Sequence, residues 1–234
     1  MKDLFGKAIL DFQTNNYPED LITETSISEA DEMSVAYLFR TYEQMPKLEQ
    51  KALELAKGKI LDVGCGAGSH SLFLQNEINL DVTSIDISPK AIKACELRGL
   101  KKTRIQNVVA IEKEKFDTIL LLMNGTGVFG TLKQTPKFLQ KLKSLLNPNG
   151  QILIDSSDII YMFDDDSDLR KSINVKGYYG ELTFTILYKN ETEDPFPWLY
   201  LDYNTLYNVA LDNDLQCELI LEGEHYDYLA KMYF

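Results

Sequence analysis

An α/β architecture, three layers with helices on both faces of a doubly wound and mostly parallel sheet, is predicted for this chain by two observations. Between residues 57 and 155, short apolar runs alternate with amphipathic stretches, the pattern of strands joined by crossover helices. The first of those runs is followed at once by Gly64, Gly66 and Gly68, whose freedom from a Cβ permits a tight strand-to-helix turn. Right-handed crossovers wind such a series into one open sheet.

The elements follow in order. Lys59 to Val63 reads as the first strand, and a helix is expected from about Ser69 to Asn76. Asp81 to Asp86 is the second strand, with Val82, Ser84 and Ile85 suited to a pleated surface. Pro89 stands in the first turn of a helix that ends at Gly99, and Thr103 to Ala110 contains a third strand. Phe116 to Met123 is the fourth and most apolar strand. Thr135 and Pro136 open a helix whose Phe138, Leu139, Leu142, Leu145 and Leu146 share one face, and Asn147, Pro148, Asn149 and Gly150 stop it. Gln151 to Asp155 is the fifth strand. Upstream, Ser28 with Asp31 has the spacing of a capping box before Met33, Val35, Ala36, Leu38 and Phe39, and a second helix is expected from Pro46 to Lys57. Downstream, strands are expected at Gly180 to Tyr188 and Trp198 to Leu201, a helix around Leu206 to Leu211, and a closing antiparallel pair near Gln216 to Leu221 and Tyr226 to Tyr233.

Composition narrows the function classes. The longest stretch free of Asp, Glu, Lys and Arg, Thr118 to Leu132, is interrupted by Asn124 and three glycines and falls short of the ~18 apolar residues of a membrane span. Asp3, Lys7 and Asp11 break any apolar leader, so the cytoplasm is the expected location. Cys65, Cys95 and Cys217 are scattered without a CxxC, which argues for reduced thiols and against zinc. Net charge is −12, against a nucleic-acid partner held through phosphates. That charge is unevenly spread: 5 basic and 11 acidic groups in residues 1–56, 14 and 9 in residues 57–155, 5 and 16 in residues 156–234. The strongest basic cluster, Arg98, Lys101, Lys102 and Arg104, lacks interleaved aromatics and reads as a solvated loop. The run Asp164, Asp165, Asp166 and Asp168 reads the same way, because a metal site needs more convergent ligands.

The chemistry concentrates at Asp62, Val63, Gly64, Cys65, Gly66, Ala67 and Gly68, with Ser69 and His70 opening the helix. Amide groups at such a helix start face a ligand. The nicotinamide fingerprint requires a glycine where Ser69 stands, and the Asp62 carboxylate repels a pyrophosphate while suiting a ligand that carries an amine. Asp86, 20 residues beyond Gly66 at the end of the second strand, is placed to accept hydrogen bonds from both hydroxyls of a ribose.

With these residues the chain resembles the class I S-adenosylmethionine-dependent methyltransferases, a Rossmann-like family whose first motif, an acid followed by GxGxG, is matched by Asp62, Gly64, Gly66 and Gly68. The resemblance extends through Asp86, the Phe116 to Met123 strand with Asp117, and the Leu145 to Gly150 turn. It implies S-adenosylmethionine as cofactor, S-adenosylhomocysteine as product and no metal. It also implies that Asp62, Gly64, Cys65, Gly66, Gly68 and His70 border the methionine part, Asp86 and Ile87 the ribose, Asn107 and Val108 the adenine, and Met123, Asn124 and Gly125 the sulfonium. Asn107 replaces an aspartate common in the family. Met123-Asn124-Gly125-Thr126 departs from the Asn/Asp-Pro-Pro-aromatic motif of members that methylate nucleic-acid or protein amides.

An activated sulfonium needs mainly proximity and in-line orientation, with a base only for an acceptor that must lose a proton. His70 and Asp155 are the candidates for that role, and Cys65 fits the turn by its size rather than as a nucleophile. The resemblance divides one domain, 1–234, into a helical lid (1–56), a cofactor-binding core (57–155), a substrate-side insertion with a hairpin (156–202) and a closing helix and strands (203–234). Both flanks are acidic, and Tyr178, Tyr179, Tyr188, Phe196, Trp198 and Tyr200 crowd the insertion. Alternating rings of this kind are first of all hairpin packing. The expected acceptor is a small neutral or cationic molecule. The competing readings are a non-catalytic S-adenosylmethionine-binding regulator and a nicotinamide-dependent oxidoreductase.

Overall fold

The computed structural model describes residues 2–163 and 177–234. The aspartate run at 164–168 lies outside the described residues. The chain opens with helix α1 (Leu4–Thr14) and a hairpin of β1 (Leu21–Thr25) and β2 (Ser28–Met33), then passes through a short 3-10 helix at Val35–Phe39 to α2 (Lys47–Leu55). The alternating region follows as β3 (Lys59–Val63), α3 (Ser69–Asn76), β4 (Asp81–Asp86), α4 (Pro89–Leu97), β5 (Thr103–Ile105), β6 (Phe116–Leu121), α5 (Thr135–Ser144) and β7 (Leu146–Ser157). Beyond it lie β8 (Glu181–Tyr188), β9 (Glu191–Thr192), β10 (Phe196–Leu199), α6 (Tyr203–Leu211), β11 (Gln216–Glu222) and β12 (Asp227–Tyr233).

The main sheet has the order β11-β12-β7-β6-β3-β4-β5. Strands β5, β4, β3, β6 and β7 run parallel, and β12 joins β7 antiparallel, with Asp227 opposite Ser157 and Leu229 opposite Asp155. Alternation along the strands divides the core. Ile60, Leu120 and Leu153 pack beneath α2 and α3 with Leu48, Leu53 and Leu74. Their neighbours Leu61, Ile119, Leu121, Ile152 and Ile154 pack on the opposite face against Phe138 and Leu142 of α5 and Leu206 and Ala210 of α6. The order reverses at β3, so the crevice beyond the ends of β3, β4 and β6 is the switch point where such sheets take ligands.

The N-terminal region differs from the helical expectation. Ser28 to Met33 is a strand, and Val35 to Phe39 forms only a 3-10 turn. Ser28 does not cap a helix. Its hydroxyl lies 2.7 Å from Thr25 Oγ1, which also accepts the amides of Ile27 and Ser28 and so closes the hairpin. The cause is tertiary: β1 pairs with β8, Ile22 opposite Leu187, and this recruits β2 as an edge strand despite its weak strand propensity. The capping box stands instead at Thr41 and Gln44. The hairpin and the insertion thus share a second sheet, β10-β8-β1-β2, with β9 on β8. That sheet buries Leu21, Ile186 and Tyr188 against Leu4 and Ala8 of α1.

Candidate active site

The glycine turn after β3 is left-handed three times, at Gly64 (φ 73°), Gly66 (φ 53°) and Gly68 (φ 80°). The three differ in what surrounds them. A Cβ on Gly68 would lie 2.7 Å from Leu100 and 2.9 Å from the Cys95 sulfur, whereas one on Gly66 would meet nothing within 4 Å. The space above Gly66 is therefore open. Gly66→Ala is expected to cost only the left-handed strain of about 1–2 kcal/mol in unfolding experiments, while Gly68→Ala, which must also displace Leu100 and Cys95, costs more.

Asp86 ties this turn to the neighbouring strand. Its Oδ2 accepts from Gly66 N at 3.0 Å and its Oδ1 from Ser88 N at 2.8 Å. Burial pushes its carboxyl up, against the two amide hydrogen bonds, with the charges of Asp3 and Asp62 adding to the rise. Asp62 is 2% exposed, and its Oδ2 accepts from Ser71 Oγ, itself bonded to Ser84. Cys65 is buried with its sulfur 3.9 Å from that of Cys95; this contact and then burial push its thiol well up, which keeps it protonated and unreactive. Ile87 is exposed. Asn107 uses Oδ1 to cap the turn at Val109 N, and Val108 beside it is buried.

Arg98 is not the solvated side chain its sequence cluster implied. Its Nη1 donates to Ala67 O and Ser69 Oγ, and the guanidinium lies 4.7 Å from the centre of the Phe39 ring. Lys102 pairs with Asp81, and Arg104 with Glu114.

Beyond β6 the chain turns sharply, with Met123 (φ 65°) and Asn124 (φ 58°) both left-handed. Asp155 holds this turn: Oδ2 accepts from Met123 N at 3.0 Å and Oδ1 from Gly125 N at 2.9 Å. Asn124 is fixed in turn by Leu199 O and the hydroxyls of Ser156 and Thr126. Burial raises the Asp155 carboxyl to about 6, against the two amide donors and with a contribution from Glu49. The sign of the resulting pH dependence is fixed. Between about pH 4 and 6 the folded protein retains a proton that the unfolded chain has lost, so this group's contribution to stability falls as pH rises through that window. Asp155→Asn abolishes the slope but leaves one of the two amides unpaired, a cost of about 1–3 kcal/mol. Its stability deficit is therefore expected to be larger near pH 4 than at pH 7, shrinking by up to about 3 kcal/mol; urea denaturation at the two pH values measures it, and a deficit independent of pH would contradict the assignment.

Asp155 faces a cavity of about 240 Å3 that is also lined by Tyr37, Glu49, Met123, Asn124 and Asp227. Met123 additionally packs against the buried cluster of Ile9, Leu38, Ala67, Ala91 and Ala94, which includes a residue of the glycine turn. The N-terminal region supplies another wall through Tyr37, Leu48 and Glu49, and Glu49 belongs to a cluster that the sequence did not reveal. Arg40 donates to both oxygens of Glu49, and His70 Nε2 lies 2.7 Å from Glu49 Oε2, all three side chains being buried. Burial pushes the Glu49 carboxyl up, but the hydrogen bonds and charges of His70 and Arg40 outweigh it and hold the group below its usual value. Arg40 also stacks 4.1 Å from the centre of the Tyr37 ring. His70 thus ties α2 to the start of α3 rather than standing free.

A family described as "Methyltransferase domain" matches residues 55–199. Among solved structures, an S-adenosylmethionine-dependent methyltransferase from Bacteroides fragilis, in complex with S-adenosyl-L-homocysteine, is 44% identical with a TM-score of 0.89, over 99% of this chain and 94% of that one. A ubiquinone biosynthesis O-methyltransferase from Xanthomonas euvesicatoria pv. vesicatoria is 29% identical over 110 residues, 44% of each chain. A ribosomal RNA small subunit methyltransferase C from Marinomonas sp. is 27% identical over 115 residues, 46% of this chain and 33% of that one. The chain thus spans less than half the length of these two curated relatives. The family match covers more than half of the chain and contains the glycine turn, Asp86 and Asp155: this chain belongs to the S-adenosylmethionine-dependent methyltransferase family.

Proposed function

We propose that the chain transfers the methyl group of S-adenosylmethionine to a small, neutral or cationic acceptor seated in the inner cavity. The observation that carries this reading is the cavity itself, which is lined both by Tyr37, Leu48 and Glu49 of the N-terminal region and by Met123 and Asn124 of the turn after β6, Met123 also packing against the cluster that holds Ala67 of the glycine turn. The cofactor fits the donor set present: an open space above Gly66, a half-buried carboxylate at Asp86 with lone pairs to spare for ribose, and the capped Asn107 turn for adenine. When bound, it supplies an electrophilic methyl on sulfur, and the methyl–sulfur bond breaks toward sulfur as the acceptor's lone pair forms the new bond.

The chain's residues position and enclose. Asp155 fixes the turn that borders both spaces, and the Arg40–Glu49–His70 cluster holds the lid closed over them, which excludes water and orients the acceptor. Asp155, at about 6, also has the affinity to receive a proton that an acceptor must shed near neutral pH. We assign it chiefly to positioning, because both of its oxygens already hold the turn.

Two features support an acceptor that is not a nucleic acid. Lys102 and Arg104 are paired with carboxylates at the surface and Arg98 is built into the glycine turn, so three of the four clustered cations already have partners in the chain. Among the described residues lining the inner cavity there is no Lys or Arg. The same reading takes residues 1–234 as one elaborated domain and the cytoplasm as its location, supported by the free, buried Cys65, Cys95 and Cys217. No helix among the described residues is long and apolar enough to cross a membrane. The test is transfer of labelled methyl from S-adenosylmethionine to a mixed panel of acceptors. Label in uncharged or amine-bearing small molecules is the expected result; label only in phosphorylated or nucleic-acid acceptors would overturn the reading.

A further inference from the structure

A second cavity, of about 370 Å3, adjoins the first, and Ser157 and Asp227 line both. Its walls come from three separate parts of the chain: Thr25 and Ser28 of the N-terminal hairpin, Leu182 and Tyr200 of the insertion, and His225 of the β11–β12 connection. Nothing in the cofactor-binding core explains an opening there. The hairpin and the insertion are held together as one sheet by the β1–β8 pairing, so the outer chamber is a property of the second sheet.

The two chambers differ in chemistry. Ile159, Met162, Leu182 and the rings of Tyr161 and Tyr200 give the outer one an apolar and aromatic character, and the Tyr161 ring stacks 5.1 Å from that of Tyr226 at its exposed rim. The inner chamber carries Glu49, Asp155 and Asp227. Among the described residues lining either chamber there is no Lys or Arg, and Asp227 stands at the junction. Glu49 is already neutralised by Arg40, but Asp155 and Asp227 have no cationic partner among the described residues. An ammonium group is attracted to such a junction, a carboxylate or phosphate is repelled, and an alcohol gains only hydrogen bonds.

We infer that the two chambers are one acceptor site, and that its acceptor is an amine carried on an apolar or aromatic body: the nitrogen lies in the inner chamber past Asp227, the body in the outer one. This rests on the methyl-transfer reading above, and it adds the acceptor's class and the seat of its body.

The test uses three probes with the same phenylethyl body, phenethylamine, 2-phenylethanol and 3-phenylpropionate, titrated into the full chain loaded with S-adenosylhomocysteine at low salt and neutral pH. Phenethylamine is expected to bind at least tenfold more tightly than the alcohol, with no heat from the propionate. Asp227→Asn is expected to remove most of the amine's advantage while leaving the alcohol unchanged. Leu182→Trp, which fills the outer chamber, is expected to abolish binding of both while the affinity for S-adenosylhomocysteine stays as it was. An amine that binds no better than the alcohol, a preference for the propionate, no binding by any probe, or indifference to both substitutions would overturn the inference with the methyl-transfer reading intact. Failure of S-adenosylhomocysteine itself to bind would overturn both.

Discussion

Replacing Glu49 by alanine is expected to lower the free energy of unfolding by about 3–5 kcal/mol, the usual cost of leaving a buried charge without its partner. Arg40, whose side chain is 3% exposed, would lose the only carboxylate it contacts among the described residues, where its Nε already has no hydrogen-bond partner. His70 would lose its partner at the same moment. Marginal domains hold only about 5–15 kcal/mol in total, so the variant should show a markedly lower urea midpoint at pH 7. Glu49→Gln, which keeps the shape and one acceptor, should fall between the two. A loss below about 1 kcal/mol for the alanine variant would place the cluster among surface-like pairs and remove it as the clasp between the N-terminal region and α3.

The second large effect is on the cofactor. Asp86→Ala is expected to weaken S-adenosylmethionine binding at least tenfold, about 1.4 kcal/mol per factor of ten. The carboxylate accepts a hydrogen bond from Gly66 N, and in the proposed site its remaining lone pairs hold the ribose. Asp86→Asn retains an acceptor for Gly66 but not the charge, and should lose less. Calorimetric titration of the three proteins decides it, and an unchanged affinity in the alanine variant would take Asp86 out of the site.

The cofactor half of the molecule was legible because its signals are local. Short apolar runs at Phe116 to Leu121 and Gln151 to Asp155, a left-handed turn that only glycine enters cheaply, and a carboxylate at a strand end all sit within a few residues of what they determine. In the second sheet the strands of the insertion, β8 and β10, were legible, but β1 and β2 were not, because β2 is a strand only through β1, and β1 through β8, more than 150 residues away. The helical reading of Ser28 to Phe39 followed a local pattern that pairing overrode. Arg98 was misread for a related reason: a run of cations in sequence does not say that one of them reaches back to Ala67. Asp155 was found as a strand-end carboxylate, but its hold on two amides of the next turn came only with the structure. Glu49, Arg40 and Tyr37 were missed altogether. The one available signal was His70 itself, a histidine two residues past the last glycine of the turn, which on burial needs a partner for its ring.

The crystal structure of the full chain grown with S-adenosylmethionine tests the central claim most directly. The ribose hydroxyls are expected within about 2.7–3.2 Å of the Asp86 carboxylate, the methionine part above Gly64 and Gly66, and the methyl directed past Met123 into the cavity bounded by Tyr37, Glu49 and Asp155. A nucleoside lying elsewhere, or a methyl pressed against a closed wall with the cavity behind the protein, would contradict it.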